Sequence, residues 1–177
     1  MVRWSAPPAA VPGAAVRGRD KVSAVEVVER VTVAVAPEVV FRAVSDVRRM
    51  AKWSPECFAT WVVSRSAGGV PRRFVGFNRH RAYVWFTTCR VVVAEPGAEF
   101  AFDVTTFGLP VARWGFRLAA VDGGTGVTQY WIDRRVKGSM ILGRIFTGKV
   151  ATERPEANRE GMRVTLGRLK RELEAAG

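Results

Sequence analysis

The run from Thr152 to Glu174, TERPEANREGMRVTLGRLKRELE, limits the fold more than any other stretch of the chain. Met162, Leu166, Leu169 and Leu173 recur at spacings of four, three and four, which gathers them on one helical face. Pro155 falls in the first turn, where a missing N–H costs little. Glu153 and Glu156 lie near the N-terminal end, and Lys170 and Arg171 near the C-terminal end, as the helix dipole favours. At about 1.5 Å per residue the rod is about 34 Å long, roughly the width of a small domain. Its apolar stripe needs a partner surface. The chain before it is rich in strand patterns, so the strands are expected to curl around it.

The first 22 residues are rich in Ala, Pro, Gly and Arg and show no periodicity; they read as a disordered extension ahead of a domain spanning residues 23–177. Val25, Val27, Val31, Val33 and Val35 then alternate with Glu26, Arg30 and Thr32, the pattern of a half-buried strand. Pro37 opens a helical pattern, and two short helices are expected to run to Lys52 before Trp53-Ser54-Pro55 breaks them. Six strand-like segments follow: 57–65, 72–79, 81–94, 99–106, 111–121 and 125–135, separated by turn signals such as Glu95-Pro96-Gly97 and Asp122-Gly123-Gly124. The face of the last strand depends on loop length. A four-residue loop turns Val127, Gln129, Trp131 and Asp133 inward, a three-residue loop Thr128, Tyr130 and Ile132; the first is preferred. The order β-α-α-β₆-α makes the chain an α+β protein: one curved, seven-stranded antiparallel sheet gripping a long C-terminal helix, with two short helices after the first strand.

Composition narrows the class. At 177 residues and 48% hydrophobic, the chain suits one domain with a sizeable core. The formal net charge of +12 raises nucleic acid or an acidic membrane as partners. The Arg residues are scattered, however, and the aromatics are predicted inward, which speaks against a nucleic-acid module. Cys57 and Cys89 lack metal-ligand spacing and read as reduced thiols of a cytoplasmic protein. No transmembrane or export segment is apparent. The stretch 138–150, GSMILGRIFTGKV, reads as a cover over the mouth of the domain, with lipid contact as the alternative.

The inward pattern is unusual for a dry core. Trp85, Phe100, Phe102, Trp114, Phe116 and Trp131 share the predicted concave face with Gly76, Asn78, Thr87 and Gln129. Buried amides need partners, and a strongly curved sheet is not filled along its length by one helix. A ligand cavity meets both conditions. Trp53, Trp85, Phe102, Trp114, Trp131 and Met162 are expected to line it, and Asn78, Gln129 and Asn158 to orient polar edges of the ligand. Asp133 is the best inward carboxylate for a general base. His80, the sole histidine, lies between Arg79 and Arg81 in an expected turn and reads as a surface residue.

Several motifs, in their order, resemble the SRPBCC superfamily with its START-like helix-grip fold, and within it the polyketide cyclase/dehydrase-like proteins. They are Ala36-Pro37, Asp46 followed by Trp53-Ser54-Pro55-Glu56-Cys57, Phe74-x-Gly76-x-Asn78, Trp85-x-Thr87-x-Cys89-x-Val91 with Glu95-Pro96-Gly97, Gly123-Gly124-Thr125-x-Val127-Thr128, and Asn158-x-x-x-Met162-x-x-Thr165-Leu166-x-x-Leu169-Lys170. The match runs over about residues 24–174. The resemblance implies a deep hydrophobic cavity between sheet and helix, and no metal or nucleotide cofactor. The fold hosts both carriers and enzymes. The sequence therefore points to a binder of a small hydrophobic, aromatic or polyketide-like molecule. The alternatives are a cyclase or dehydratase and a membrane-surface lipid binder, and a homodimer stays open.

Overall fold

The computed structural model describes residues 26–136 and 154–176. The expected N-terminal extension and the expected cover at 138–150 lie outside the described residues. The elements are β1 (Glu26–Val33), α1 (Pro37–Ser45), a 3₁₀ turn (Val47–Arg49), α2 (Met50–Trp53), β2 (Cys57–Arg65), β3 (Pro71–His80), β4 (Tyr83–Glu95), β5 (Glu99–Thr106), β6 (Leu109–Val121), β7 (Gly124–Asp133) and α3 (Arg154–Glu174). All seven strands form one open, curved antiparallel sheet in the order β1-β7-β6-β5-β4-β3-β2. Strands β2 to β7 are a meander, because short turns bring consecutive strands together; β1 closes the order by pairing with the last strand. The second short helix extends one residue further than expected: Trp53 is its last residue, and Ser54 N–H still donates to Met50 O at 2.8 Å.

The chain turns from β6 into β7 through Asp122-Gly123 alone, since Val121 pairs directly with Gly124. Two residues and four residues give the same strand parity. The preferred face therefore holds although the expected loop was too long: Thr125, Val127, Gln129 and Trp131 are buried.

Two bodies fill the concave side. At one end, α1 presses Val40, Phe41 and Val44 into a core shared with Phe100, Leu118 and Val127. The Phe41 ring meets Phe100 edge-on at 6.4 Å, a favoured aromatic geometry. Along one flank, α3 lies on β1. Glu29 receives Arg159 and Arg163, each at 3.3 Å. Lys170 Nζ donates to Thr32 O at 2.7 Å, and Ala34 N–H to Glu174 Oε1 at 2.9 Å. The stripe read from the sequence is buried as expected: Leu166, Leu169 and Leu173 enter the main core, and Met162 joins Val27, Ala112 and Trp131 in a second cluster. Strands β3 and β4, by contrast, have no helix seated directly on them among the described residues.

On the outer face Gly115 pairs with Tyr130, and the tyrosine ring lies over the glycine. A Cβ built there would meet the ring at 2.4 Å. The ring is fixed from three sides: its hydroxyl donates to Glu99 Oε1 at 2.6 Å, Arg117 stacks on it at 4.2 Å, and the sheet lies beneath. Gly115→Ala is expected to destabilise the fold by about 1–3 kcal/mol through overpacking. Chemical denaturation measures this, and Tyr130→Leu in the same chain should recover part of the loss.

Candidate functional site

Where the sheet curves away from α3 it leaves a cavity of about 600 Å³, within the range of about 300–1,000 Å³ usual for small-molecule sites. Its sheet wall is aromatic: Phe74, Trp85, Phe102, Trp114, Phe116 and Trp131. They alternate along β3 to β7, because every second residue of a strand points to the concave side. The helix wall is small. Ala157, Asn158, Gly161, Val164 and Thr165 face the cavity, next to the Met162–Leu173 stripe that faces the sheet. A helix with two unlike faces explains both the grip and the hollow. The large side chains hold the helix down, and the small ones leave room.

The third wall is the turn after α2. Trp53 is 2% exposed, and its indole Nε1 donates to Glu172 Oε2 at 2.6 Å while Arg49 donates to Glu172 Oε1 at 2.6 Å. One carboxylate thus ties the first helical region to the last helix. Partial burial pushes the Glu172 carboxyl up; the hydrogen bonds from Arg49 and Trp53, and the charges of Arg49 and Lys52, outweigh that and hold it below its ordinary value. Beyond the helix, Ser54 Oγ accepts from the N–H groups of Glu56 and Cys57 at 3.2 and 2.9 Å, shaping the bend at Pro55.

The polar groups within the cavity divide. Asn78 Nδ2 donates to Gly76 O at 3.2 Å and Thr87 Oγ1 at 3.4 Å, so this amide is satisfied from within the wall. Gln129 is 5% exposed, and its Oε1 has no hydrogen-bond partner among the described residues. An unmade bond of this kind costs about 1–3 kcal/mol. Both thiols line the cavity, and burial pushes Cys57 up to about 11 and Cys89 to about 12. At neutral pH neither is a nucleophile.

Of the residues expected at the site, Trp53, Asn78, Trp85, Phe102, Trp114, Gln129, Trp131 and Asn158 line the cavity together. Met162 does not; it is fully buried behind Trp131 and Ala112 in the second cluster. Asp133 belongs to the inward face of β7 but is absent from the cavity wall. Its carboxylate is held by Arg135, whose Nε donates to both carboxylate oxygens at 2.9 and 3.0 Å. His80 differs from its expected surface placement. It is the last residue of β3, on the same face as Gly76 and Asn78, and lines the cavity mouth with Nδ1 3.7 Å from Glu56 Oε1. Sequence reasoning placed the turn one residue early. The alternation Phe74, Gly76, Asn78, extended once more, would have brought His80 inward. At the same mouth Phe107 and Gly108 both take left-handed backbone, φ 50° and 78°, between the paired Thr106 and Leu109. That conformation is costly for a bulky residue. It places the half-exposed Phe107 ring 5.8 Å from Phe86.

The comparisons with known proteins agree with this geometry. The family described as polyketide cyclase/dehydrase and lipid transport matches residues 24–174. The chain belongs to this family. Its fold is the START-like helix-grip. A polyketide-cyclase-like protein of the family from Corynebacterium glutamicum, Cgl2372, is 26% identical, with 88% of this chain and 95% of that one covered and a TM-score of 0.56. A START superfamily protein from Mycobacterium smegmatis is 18% identical over 78% of this chain and 96% of its own, at a TM-score of 0.55. The di-domain ARO/CYC StfQ of the steffimycin biosynthetic pathway superposes with a TM-score of 0.67 at 14% identity, covering 86% of this chain and 51% of StfQ. No curated protein matches by sequence. Among the described residues no helix is long and apolar enough to cross a membrane.

The Glu172 clamp makes a prediction about pH. A carboxyl depressed in the folded state adds stability that is fully present above its ordinary value of 4.5 and is lost as the pH falls through the lower folded value. Glu172→Gln should therefore flatten that part of the acid limb of a stability–pH curve relative to wild type. Glu172→Ala should cost about 1–3 kcal/mol at neutral pH, because the buried Trp53 N–H loses its acceptor. Thermal melts across the acid range read both.

Proposed function

We propose that this family member binds a small hydrophobic molecule, aromatic or polyketide-like, in the cavity between the sheet and α3. The observation that carries the reading is the cavity itself: a hollow of about 600 Å³ with an aromatic wall, a small-residue helix face opposite, and one buried amide oxygen unpaired among the described residues. Flat rings fit between such walls. Rotation of the Gln129 amide would offer its oxygen to a phenol or enol hydroxyl, which makes an oxygenated ring system a better guest than a plain hydrocarbon. Two of the similar structures, StfQ and BexL, are named as di-domain ARO/CYC proteins of biosynthetic pathways, which favours a polyketide-like guest over a generic lipid. Burying about 300 Å² of a polycyclic ligand at about 25 cal/mol/Å² contributes about 7 kcal/mol before association costs. Before those costs the figure corresponds to a dissociation constant of about 10 μM, and no catalytic step enters it.

Four tryptophans, Trp53, Trp85, Trp114 and Trp131, line the cavity and report on its occupancy. Titration with a dihydroxyanthraquinone should quench their fluorescence saturably, with a dissociation constant in the micromolar range. Gly161→Leu is the decisive variant. A Cβ at Gly161 would lie 3.6 Å from Pro55 Cγ, also in the wall, so the leucine projects into the hollow. It also replaces a poor helix former, which stabilises α3 by up to about 1 kcal/mol. Quenching should weaken at least about tenfold, equivalent to about 1.4 kcal/mol, while the melting temperature holds or rises. Saturable quenching that is indifferent to this substitution would place the ligand elsewhere.

A further inference from the structure

The mouth of the cavity holds a carboxylate–imidazole pair, and it is built into the sheet rather than resting on it. Glu56 and His80 both line the cavity, with Glu56 Oε1 3.7 Å from His80 Nδ1. Their backbones are locked together where β2 begins to pair with β3: Arg79 N–H donates to Glu56 O at 2.8 Å, and Cys57 pairs with Asn78. The Ser54 hydroxyl fixes the bend that carries Glu56. At 3.7 Å the two are at ion-pair rather than hydrogen-bond distance; a carboxylate that closed on Nδ1 would hold the proton on that nitrogen and leave Nε2 as the base. Catalytic contacts of this kind are often long in an empty site and tighten when a ligand arrives. The two thiols are protonated, and the Asp133 carboxylate is taken by Arg135.

We propose that His80, held in its tautomer by Glu56, is a proton-transfer residue acting on an enolisable ketone whose aromatic body fills the cavity. The proposal rests on the ligand-binding reading above. The step balances without a co-reactant. Nε2 takes the proton from the carbon next to the carbonyl, and the C–H electron pair moves into the enolate. The imidazolium then returns a proton to that carbon or to an oxygen of the same molecule. His80 is the catalytic residue in this scheme, and Glu56 is a positioning residue. The charged and titratable groups around the pair are its neighbours Arg79 and Arg81, Tyr83 opposite in the ladder, and Arg135 and Glu160 on the cavity wall.

The probe is β-tetralone, a bicyclic ketone with acidic C–H bonds, in heavy water. Wild type should speed deuterium incorporation beside the carbonyl above the buffer rate. His80→Asn should lose about a hundredfold of that rate, measured at saturating β-tetralone so that any change in affinity, read by tryptophan quenching, is separated from the loss of exchange. Glu56→Gln should slow exchange without weakening tryptophan quenching, and Glu56→Asp should restore part of the rate. Quenching with exchange no faster than buffer, or exchange indifferent to His80→Asn, overturns the assignment and leaves the binding reading standing. No quenching by β-tetralone or by the anthraquinone removes both.

Discussion

A helix can hold a curved sheet along only one flank at a time, and the rest of this molecule follows from where that contact falls. The stripe of Met162, Leu166, Leu169 and Leu173 is spent on β1, β7 and α2. Charge pairs to Glu29 and the Glu172 clamp to Trp53 hold the same side. With α1 plugging one end through Phe41 and Phe100, nothing large is left on α3 to reach the span from β3 to β5. A polypeptide interior is normally packed to crystal density. Here the walls are braced against collapse by the strand ladder on one side and by the helix clamp on the other.

Bracing also shapes the chemistry of the mouth. The groups that could titrate there are not equivalent. Asp133 is neutralised by the arginine two residues on, so its inward strand position does not make it a base. His80 and Glu56 face one another because the first rungs between β2 and β3 bring them together. Phe107 is held in left-handed backbone beside the same opening. Strain of that kind persists only where the surrounding structure enforces it, here a tight two-residue turn between β5 and β6.

Much of the architecture was legible from alternation alone. The bounds of β2 and β5 were read as the structure has them, and the inward face of β7 was right even though its loop is two residues rather than four, because parity survives the error. The site was legible on the sheet and less so on the helix. Strand faces are binary, so Trp85, Phe102, Trp114, Gln129 and Trp131 could be grouped. A helix has a continuous circumference, and the sequence marked its apolar stripe without saying that the stripe seals the core while the smaller neighbours, Ala157, Gly161 and Val164, face the hollow. Met162 was assigned to the wrong side for that reason. His80 was missed because two flanking arginines made its position read as solvent, although the side-chain period of β3 carries it inward.

The division of labour on α3 has a consequence for how such a domain diversifies. The side chains that set the depth of the hollow on the helix side lie between Ala157 and Thr165, within a single 21-residue helix, and none of them belongs to the strand ladder. Exchanging one small residue for another there rescales the chamber without touching the hydrogen bonds that keep the domain folded. A lineage could then trade one guest for another by drift in a few neighbouring codons, with the scaffold indifferent to the change.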